Sequence, residues 1–178
     1  PIVISAINYD PIARGYVKSL AQPGGNITGV VMRQTELAEK QVELLTQAFP
    51  GKTRLAILWD SNSAVQFGVA ERLAKSLGLQ VRSLELESPP YDFERAFASL
   101  AENASQMVLI LSSIFFVPGR TRMAELAIRH RLPTMFIFRQ YVDVGGLMSY
   151  GVDQLVAYRA IASYTAKILR GAKPSELP

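Results

Sequence analysis

The sequence Leu-Ala-Ile-Leu-Trp-Asp-Ser-Asn-Ser, residues 55–63, passes without a spacer from an apolar run to residues that begin helices. Residues 55–59 are all apolar, which is typical of a strand buried on both faces. Ser63 and Gln66 have the spacing of a capping box, so we expect a helix to start at once and to run to residue 77, where Gly78 stops it. The stretch therefore predicts a β-strand followed directly by an α-helix.

The same order recurs on both sides of this stretch. Further apolar runs predict strands at residues 2–7, 27–32, 107–111 and 134–138, with a short one at 147–149, and partial alternation predicts a strand at residues 79–86. Helical spacing or capping residues predict helices at residues 12–20, 35–49, 118–131 and 153–170, and one that Asp92 caps. Alternating strands and helices indicate a doubly wound α/β fold, a parallel sheet with helices on both faces. The last helix is expected to bury Leu155, Val156, Ile161, Ala162, Thr165, Ile168 and Leu169.

Composition argues against several classes of protein. With 178 residues, of which 49% are hydrophobic and 19% charged, the chain suits one or two globular domains. No apolar run approaches the roughly 20 residues of a membrane-spanning helix. The net charge of +4 comes from scattered Lys and Arg, so nucleic acid is not an expected partner. The sequence has no Cys and no His, Asp and Glu cluster with metal-ligand spacing, so we expect no metal and no cofactor.

The chain opens on Pro-Ile-Val-Ile, without an initiator Met or a signal peptide. This start predicts an excised piece or a trimmed mature chain, and it leaves the localisation open.

Polar and aromatic residues follow the predicted strands, at the edge where open parallel sheets bind ligands. They are Asn8, Tyr9, Asp10, Asp60, Ser61, Asn62, Ser63, Ser112, Ser113, Phe115, Phe116, Arg139, Gln140, Ser149, Tyr150 and Gly151. Together they predict a pocket for a small polar or aromatic molecule. Simpler interpretations stay open, because residues 60–63 suit helix caps, the two Phe suit core packing, and Arg139 suits a surface ion pair. Asp60 is either a cap or the partner of a ligand amine.

The sequence offers no catalytic constellation. His130, the only histidine, lies at the end of a predicted helix, where a positive charge is favourable, and at the opposite edge of the sheet from the strand ends. No nucleophile-elbow, dinucleotide-binding or P-loop motif occurs. An enzyme is therefore not expected. A small α/β enzyme is the weaker alternative, and it would need a nucleophile–base pair or a cofactor motif at the carboxyl edge.

Several segments resemble one family. The most specific are Pro-Gly-Gly-Asn-Ile-Thr-Gly at residues 23–29 and Gly-Gly-Leu-Met-Ser-Tyr-Gly at residues 145–151, with Ile-Leu-Arg-Gly-Ala-Lys-Pro-Ser-Glu-Leu-Pro at residues 168–178. They are similar to segments of ABC transporter substrate-binding proteins with the type I periplasmic-binding fold, in the branch that includes tryptophan-binding lipoproteins. The resemblance implies a three-layer α/β/α lobe and a solute-binding component of an uptake transporter. It also implies permease subunits as partners, in the periplasm or with a lipid anchor outside the cytoplasm.

In this family two lobes hold the solute between them, here a small, amino-acid-like molecule. Residues 1–26 resemble the end of the first lobe and a crossover, residues 27–149 the second, ligand-binding lobe, and residues 150–178 a return to the first lobe. The strand ends and the resemblance together give the predicted ligand-binding residues Asp60, Ser61, Asn62, Ser63, Ser113, Phe115, Phe116, Arg139, Tyr150 and Gly151. The predicted hinge residues are Gly25, Asn26, Gly29, Gly145 and Gly146. Tryptophan-binding members carry Thr-Asp-Asn where this chain has residues 112–116, so the solute stays open.

Two further expectations follow. A ligand-sensing regulatory domain of the same fold is the alternative function, which a DNA-binding headpiece would reveal. The apolar stripe of residues 153–170 and the strand at residues 2–7 would both pack on a first lobe that is largely outside this sequence. Exposed strand edges and apolar helix faces invite pairing, so a homodimer or a swapped arrangement through residues 1–20 and 153–170 is predicted.

Overall fold

The chain forms two compact units. The computed structural model describes residues 1–8 and 10–177, so the predicted strand-end residue Tyr9 lies outside the described residues. One unit, which we call the terminal unit, consists of Pro1–Arg33 and Val152–Pro178, and the other, the central unit, is Gln34–Gly151. Within the described residues, no helix is both long enough and apolar enough to span a membrane.

From β2 onward, strands and helices alternate along the chain, as the sequence predicts. The strands are β1 (Ile2–Ile7), β2 (Ile27–Met32), β3 (Arg54–Trp59), β4 (Gln80–Glu85), β5 (Met107–Ile110), β6 (Thr134–Phe136) and β7 (Met148–Ser149). The α-helices are α1 (Ala38–Ala48), α2 (Ala64–Ser76), α3 (Phe93–Glu102), α4 (Arg120–Arg129), α5 (Arg139–Val142) and α6 (Gln154–Leu169). Short 3-10 turns occupy Thr35–Leu37, Ser61–Ser63, Val117–Gly119 and Pro174–Glu176.

The central unit is built on a five-stranded sheet in the order β4-β3-β5-β6-β7. Each neighbouring pair of strands runs parallel. All four residues of β5 and the four central residues of β3 are buried, as expected for strands covered on both faces. The predicted parallel α/β fold is therefore confirmed.

Helices cover this sheet because the chain changes direction after β4. From β3 the chain moves outward to β4, and it then crosses back over β3 to add β5, β6 and β7 on the other side. Since strand–helix–strand crossovers are right-handed, this reversal moves the connecting helices from one face to the other. One apolar cluster joins α1 and α2 to the sheet through Val42, Leu45, Ala70, Ala74, Ile57 and Leu109. The helices α3 and α4, which contact each other, bury Phe97, Leu100, Met123 and Leu126.

The helix predicted at residues 12–20 is absent, and that prediction was wrong. Asp10 accepts hydrogen bonds from the backbone N–H groups of Ile12 and Ala13 at 2.9 and 3.0 Å, which starts a single turn. Gly15 then adopts a φ of +72°, a left-handed conformation that ends the turn. Apolar residues at helical spacing do not produce a helix here, because the turn ends at Gly15 before a second turn can form.

The division between the two compact units lies between residues 33 and 34. The reason is that β2 pairs in parallel with β1 over six residues, from Ile2↔Ile27 to Ile7↔Met32. At the other end, Tyr150 and Gly151 belong to the central unit rather than to the terminal one. The lobe boundaries at residues 26 and 149 remain predictions, and the two compact units divide a few residues away from them.

The five predicted hinge residues lie inside the two units. Gly25 and Asn26 precede β2, Gly29 lies within it, and Gly145 and Gly146 precede β7. Gly29 has a local explanation, since its φ is +153° and a Cβ atom would collide with the backbone of Ile4. The chain passes between the units elsewhere, at residues 33–34 and 151–152.

The final helix α6 exposes most of the stripe that was expected to be buried. Leu155, Val156 and Leu169 are 59%, 60% and 82% exposed, and Ala157 is the one buried residue of the helix. Ala162 and Thr165 are also exposed, whereas Ile161 and Ile168 are half-buried. The helix contacts β1 and β2, and a two-stranded sheet is too narrow to cover so wide a stripe.

Candidate functional site

The chain reverses direction after β4, and this reversal brings polar residues from several loops together at the carboxyl edge of the sheet. In the strand order, β3 and β5 are neighbours, and the chain leaves their carboxyl ends in opposite directions. Such a topological switch point opens a crevice, and it is where doubly wound sheets bind their ligands. Asp60 follows β3 directly, and Ser112 and Ser113 follow β5.

Asp60 caps the turn that leads into α2. Its carboxylate accepts a hydrogen bond from the Asn62 backbone N–H at 3.1 Å, and its own backbone N–H donates to Ser63 Oγ at 3.0 Å. The capping box is thus formed by Asp60 and Ser63. The box predicted from Ser63 and Gln66 was wrong, because a 3-10 turn at Ser61–Ser63 starts the helical segment three residues earlier.

The second carboxylate oxygen of Asp60 joins two other loops. Oδ2 accepts hydrogen bonds from Ser113 Oγ at 2.5 Å, from Tyr91 OH at 2.9 Å and from Asn62 Nδ2 at 3.2 Å. Asp60 has no exposed surface. The loops after β3, β4 and β5 therefore meet on one buried carboxylate, and we call Asp60, Asn62, Ser63, Tyr91 and Ser113 the Asp60 cluster.

Gln66 holds the loop after β5 in place. Its side-chain amide donates to the Ser112 carbonyl and accepts from the Ser112 N–H, both at 3.2 Å. This pair of bonds imitates the contact of a neighbouring strand, so it continues the sheet beyond the end of β5. It leaves Ser112 Oγ buried without a hydrogen-bond partner among the described residues. A buried hydroxyl without a partner lowers the stability of the fold. Ser112 differs in this respect from Ser113, whose hydroxyl donates to Asp60.

Aromatic rings surround the Asp60 cluster on one side. The Tyr91 ring packs edge-to-face against Phe116 and Phe115, with centroids 5.4 and 6.5 Å apart. Phe116 is fully buried, as its interpretation as core packing requires, whereas Phe115 is 45% exposed. The neighbouring Ile114 is 62% exposed. An apolar rim thus lies beside a polar centre, an arrangement common in small-molecule sites.

Tyr91 is the member of the cluster that the sequence analysis missed. Burial, together with the hydrogen bond and the negative charge of Asp60, raises the pKa of Tyr91 to about 12. The phenol therefore stays protonated and donates to the carboxylate at neutral pH. Tyr91 follows Pro89 and Pro90 in the loop after β4, a strand end that the sequence analysis did not consider. Including every strand end would have found it.

The predicted residues Tyr150 and Gly151 lie at the same edge but farther along the sheet. The Tyr150 N–H donates to the Phe136 carbonyl at 3.0 Å, and its carbonyl accepts from Gln41 Nε2 at 2.6 Å. A Cβ atom on Gly151 would collide with the Ile137 carbonyl, so this position requires glycine. Since β7 is two strands from β5, these residues start about 10 Å from the Ser113 loop. Tyr150 is 38% exposed and within reach of a ligand.

The remaining predicted residues are on the surface. Ser61 and Asn62 are exposed, although Asn62 also bonds to Asp60. The side chain of Arg139, the first residue of α5, is 87% exposed and forms an ion pair with Asp143 at 3.3 Å. This geometry matches the surface ion pair that the sequence left open for Arg139.

An open groove of about 550 Å³ runs from the edge strand β4 to α3. Tyr91 lines it, together with the acidic residues Glu85, Glu87 and Asp92 and the basic Arg95. Its volume is within the range of small-molecule sites, and its charge is net negative. Within residues 1–8 and 10–177, no three His, Asp or Glu side chains come together in a way that could hold a metal ion.

Three comparisons with known proteins agree on the family. The family model described as ABC transporter substrate binding protein matches residues 1–178. A tyrosine-binding protein of Clostridioides difficile (strain R20291) is 23% identical over 182 residues, which cover 100% of this chain and 51% of the relative. The chain thus spans about half the length of this curated relative.

Solved structures with the same fold include two with high TM-scores. An ABC domain from Streptococcus pneumonia in complex with L-Trp superposes with a TM-score of 0.77 at 27% identity, covering 100% of this chain and 60% of that one. A conserved domain protein from Vibrio cholerae superposes with a TM-score of 0.75 at 24% identity, covering 94% of this chain and 56% of that one, and this likeness concerns the fold alone. These neighbours have the type I periplasmic-binding fold predicted from the sequence. The chain belongs to the family of ABC transporter substrate-binding proteins.

Proposed function

We propose that this chain is the solute-binding part of a protein that serves an ABC-type uptake transporter. Its solute is small and amino-acid-like, and the protein binds it without chemical conversion. The family match supports the transport role, and the relatives that bind tyrosine and L-Trp support the class of solute. The partners that follow are the permease subunits of the transporter, and the location is the periplasm or a lipid-anchored position outside the cytoplasm.

We infer that the central unit is the lobe that carries the recognition of the solute. The observation behind this inference is the Asp60 cluster, where three loops meet at the switch point of the sheet. The exposed Phe115 and Ile114 beside it offer apolar contacts for a side chain of the solute. Tyr150, at the same edge, is the second contact region. The terminal unit then corresponds to part of the other lobe.

The first test is to identify the solute. The full-length protein is purified without denaturation, and the small molecules that it releases on unfolding are identified by mass spectrometry. Calorimetry with L-tyrosine, L-tryptophan and maltose follows, and we expect binding of an amino acid and no binding of the sugar. Binding of the sugar alone, or of no solute at all, would contradict the proposed class.

The second test locates the site. Ser113→Ala removes the hydrogen bond that holds the loop after β5 against Asp60. Because a bond to a charged group contributes about 1.5–3 kcal/mol to the arrangement it stabilises, we expect the displaced loop to weaken solute binding by about tenfold. Ser76→Ala is the matched control, because the Ser76 hydroxyl bonds only to the Leu73 carbonyl at the other end of α2. Unchanged affinity in the Ser113 variant would remove the Asp60 cluster from the site.

We propose further that the 178-residue chain forms a homodimer through residues 1–20 and 153–170. In the terminal unit, Ile12, Tyr16 and Leu20 are between 41% and 47% exposed, and α6 exposes the apolar residues described above. Burying such surfaces against a second copy is favourable by roughly 25 cal/mol for each Å² of apolar area. Light scattering of the 178-residue chain at micromolar concentration tests this proposal, and a stable, soluble monomer would contradict it.

A further inference from the structure

We propose that Tyr91 binds the protonated amine of the solute through its phenolic oxygen, and that Asp60 is a positioning residue behind it. This inference rests on the proposed function and deepens it, because it assigns one chemical group of the solute to one residue. The sequence alone suggested the opposite arrangement, in which Asp60 would bind a ligand amine itself.

The hydrogen bonds of Asp60 leave no room for a direct contact. An ionised carboxylate only accepts hydrogen bonds, and it has about four lone-pair sites on two oxygens. Oδ1 faces the Asn62 N–H and Ser63 Oγ at 3.1 Å each. Oδ2 faces Ser113 Oγ, Tyr91 OH and Asn62 Nδ2. Four donors face it, and Ser63 Oγ is a fifth that shares its one proton between Oδ1 and the Asp60 carbonyl. Since Asp60 also has no exposed surface, the carboxylate is occupied by the protein itself.

Tyr91 and Ser113 differ in what they can still offer. Each has one hydroxyl proton, and each donates it to Asp60. Ser113 Oγ also accepts from the Phe115 N–H at 3.2 Å, so it is bonded on both sides. Tyr91 OH has no other bond in the described part of the chain, and its oxygen keeps a lone pair. The cluster therefore presents an acceptor at Tyr91, and an acceptor selects a hydrogen-bond donor.

The charge of the cluster selects a positively charged donor. No salt bridge of the described residues involves Asp60, so its negative charge is hydrogen-bonded but has no counter-ion. A phenol that donates to a carboxylate becomes more electron-rich at its oxygen, since hydrogen bonds in a chain polarise one another. The negative charge of Asp60 therefore makes the phenolic oxygen of Tyr91 more attractive to a cation on its solvent side. An ammonium group is favoured there, and a carboxylate is disfavoured.

Tyr91 is placed so that a solute can reach it. The residue is half-buried and lines the open groove, where the three acidic side chains outnumber the single Arg95. Its ring touches the exposed Phe115, and a cation near an aromatic ring gains additional attraction. A solute that combines an ammonium group with an apolar side chain fits both features.

The test compares two ligands that differ only in the amine. In the full-length protein, calorimetry measures the affinity for L-tyrosine and for its deaminated analogue, 3-(4-hydroxyphenyl)propionate. We expect the wild type to bind L-tyrosine at least tenfold more tightly. Tyr91→Phe, which keeps the ring, should weaken L-tyrosine by about tenfold and change the analogue by less than about twofold. Tyr164→Phe is the matched control, since Tyr164 is also half-buried but lies on α6, and both affinities should stay unchanged.

A second variant tests the charge and covers the case in which Tyr91→Phe does not fold. Asp60→Asn keeps a side chain that caps helices as well as Asp does but removes the negative charge. It should also weaken L-tyrosine selectively. Equal weakening of both ligands by either variant would indicate a purely structural role and overturn the inference, while the proposed function would stand. Equal binding of both ligands by the wild type would overturn it as well. If the solute identified by mass spectrometry is another amino acid, that amino acid and its deaminated analogue replace the pair. A wild type that binds no amino acid would contradict both proposals.

Discussion

The two units of the molecule differ in how completely they cover their apolar residues. In the central unit, Ile57 and Leu109 on neighbouring strands have no exposed surface. In the terminal unit, Ile2 on β1 is 49% exposed and Leu169 on α6 is 82% exposed. The apolar runs that form these elements look alike in the sequence. A sheet of five strands with helices on both faces has enough partners to bury them, and two strands with one long helix do not.

The polar groups differ in the same way. The central unit buries a carboxylate and several hydroxyls in one network. The described side-chain contact that closes the terminal unit is simpler, with Thr28 Oγ1 donating to the Leu177 carbonyl at 2.9 Å. A buried polar network stabilises the fold when its members have hydrogen-bond partners, because a buried polar group without a partner costs free energy. The proposed binding site therefore lies in the unit whose loops are joined by buried hydrogen bonds.

The largest expected effect comes from separating the units. A fragment of residues 34–151 should fold by itself and unfold in one cooperative transition, since the sheet and its helices are contained in it. A control fragment that joins residues 1–33 to 152–178 through a Gly/Ser linker should show no cooperative transition. Circular dichroism in urea measures both. A cooperative terminal fragment, or an unfolded central one, would show that the two units do not differ in stability in this way.

Core substitutions should show the next largest difference. Leu109→Ala removes a fully buried side chain from β5 and is expected to lower the free energy of unfolding by about 2–5 kcal/mol. Leu169→Ala removes the same atoms from an 82% exposed position, and at a concentration low enough to keep the chain monomeric it should change the free energy of unfolding by less than about 0.5 kcal/mol. Chemical denaturation of the two variants gives the values. A large loss for Leu169→Ala would mean that α6 is covered in solution.

The sequence predicted the sheet well because strands buried on both faces leave a simple signal. Runs of apolar residues mark β3 and β5, whereas β4 shows only partial alternation, and the residues after β3 and β5 were identified as site candidates. The exposure of α6 could not be predicted, because an amphipathic pattern says which face is apolar and not whether anything covers it. The helix expected at residues 12–20 does not form, because Gly15 adopts a left-handed conformation that interrupts it. The residues that follow Gly15 up to residue 20 are too few for two helical turns.

Some contacts of the site were not predictable because they join distant parts of the chain. Gln41 and Gln66 lie on helices, where polar residues usually face water, yet both are buried. Each bonds to the backbone of a loop that follows a different strand, at Tyr150 and at Ser112. Tyr91 belongs to the same group, since its partner Asp60 is 31 residues away in sequence. Such bonds depend on the tertiary fold, so a local pattern can name a strand-end residue such as Tyr91 as a candidate but cannot identify its partner.

Removing the centre of the polar network should have a smaller effect than removing core atoms. Asp60→Ala deletes a helix cap, which costs about 1 kcal/mol, and leaves buried donors without an acceptor, which adds about 1–3 kcal/mol. Asp92→Ala is the control, because Asp92 is exposed and caps α3 through one bond to the Arg95 N–H at 2.9 Å. It should cost about 1 kcal/mol. Equal losses in urea denaturation would mean that the bonds from Tyr91 and Ser113 add nothing to stability.

The smallest expected effect is a pH dependence that comes from Tyr91. Because burial and the Asp60 carboxylate raise its pKa to about 12, the folded protein resists losing this proton more than the unfolded chain does, where a tyrosine titrates near pH 10. The stabilisation by the protonated phenol is thus complete below about pH 10 and is lost as the pH rises from 10 to 12. Other groups titrate in this range, so the quantity to measure is the difference in unfolding free energy between the wild type and Tyr91→Phe. We expect this difference to be constant below pH 10 and then to fall towards pH 12. A difference that stays constant up to pH 12 would mean that Tyr91 is not bonded to the carboxylate in solution, and that the loop after β4 is held by the aromatic contacts alone.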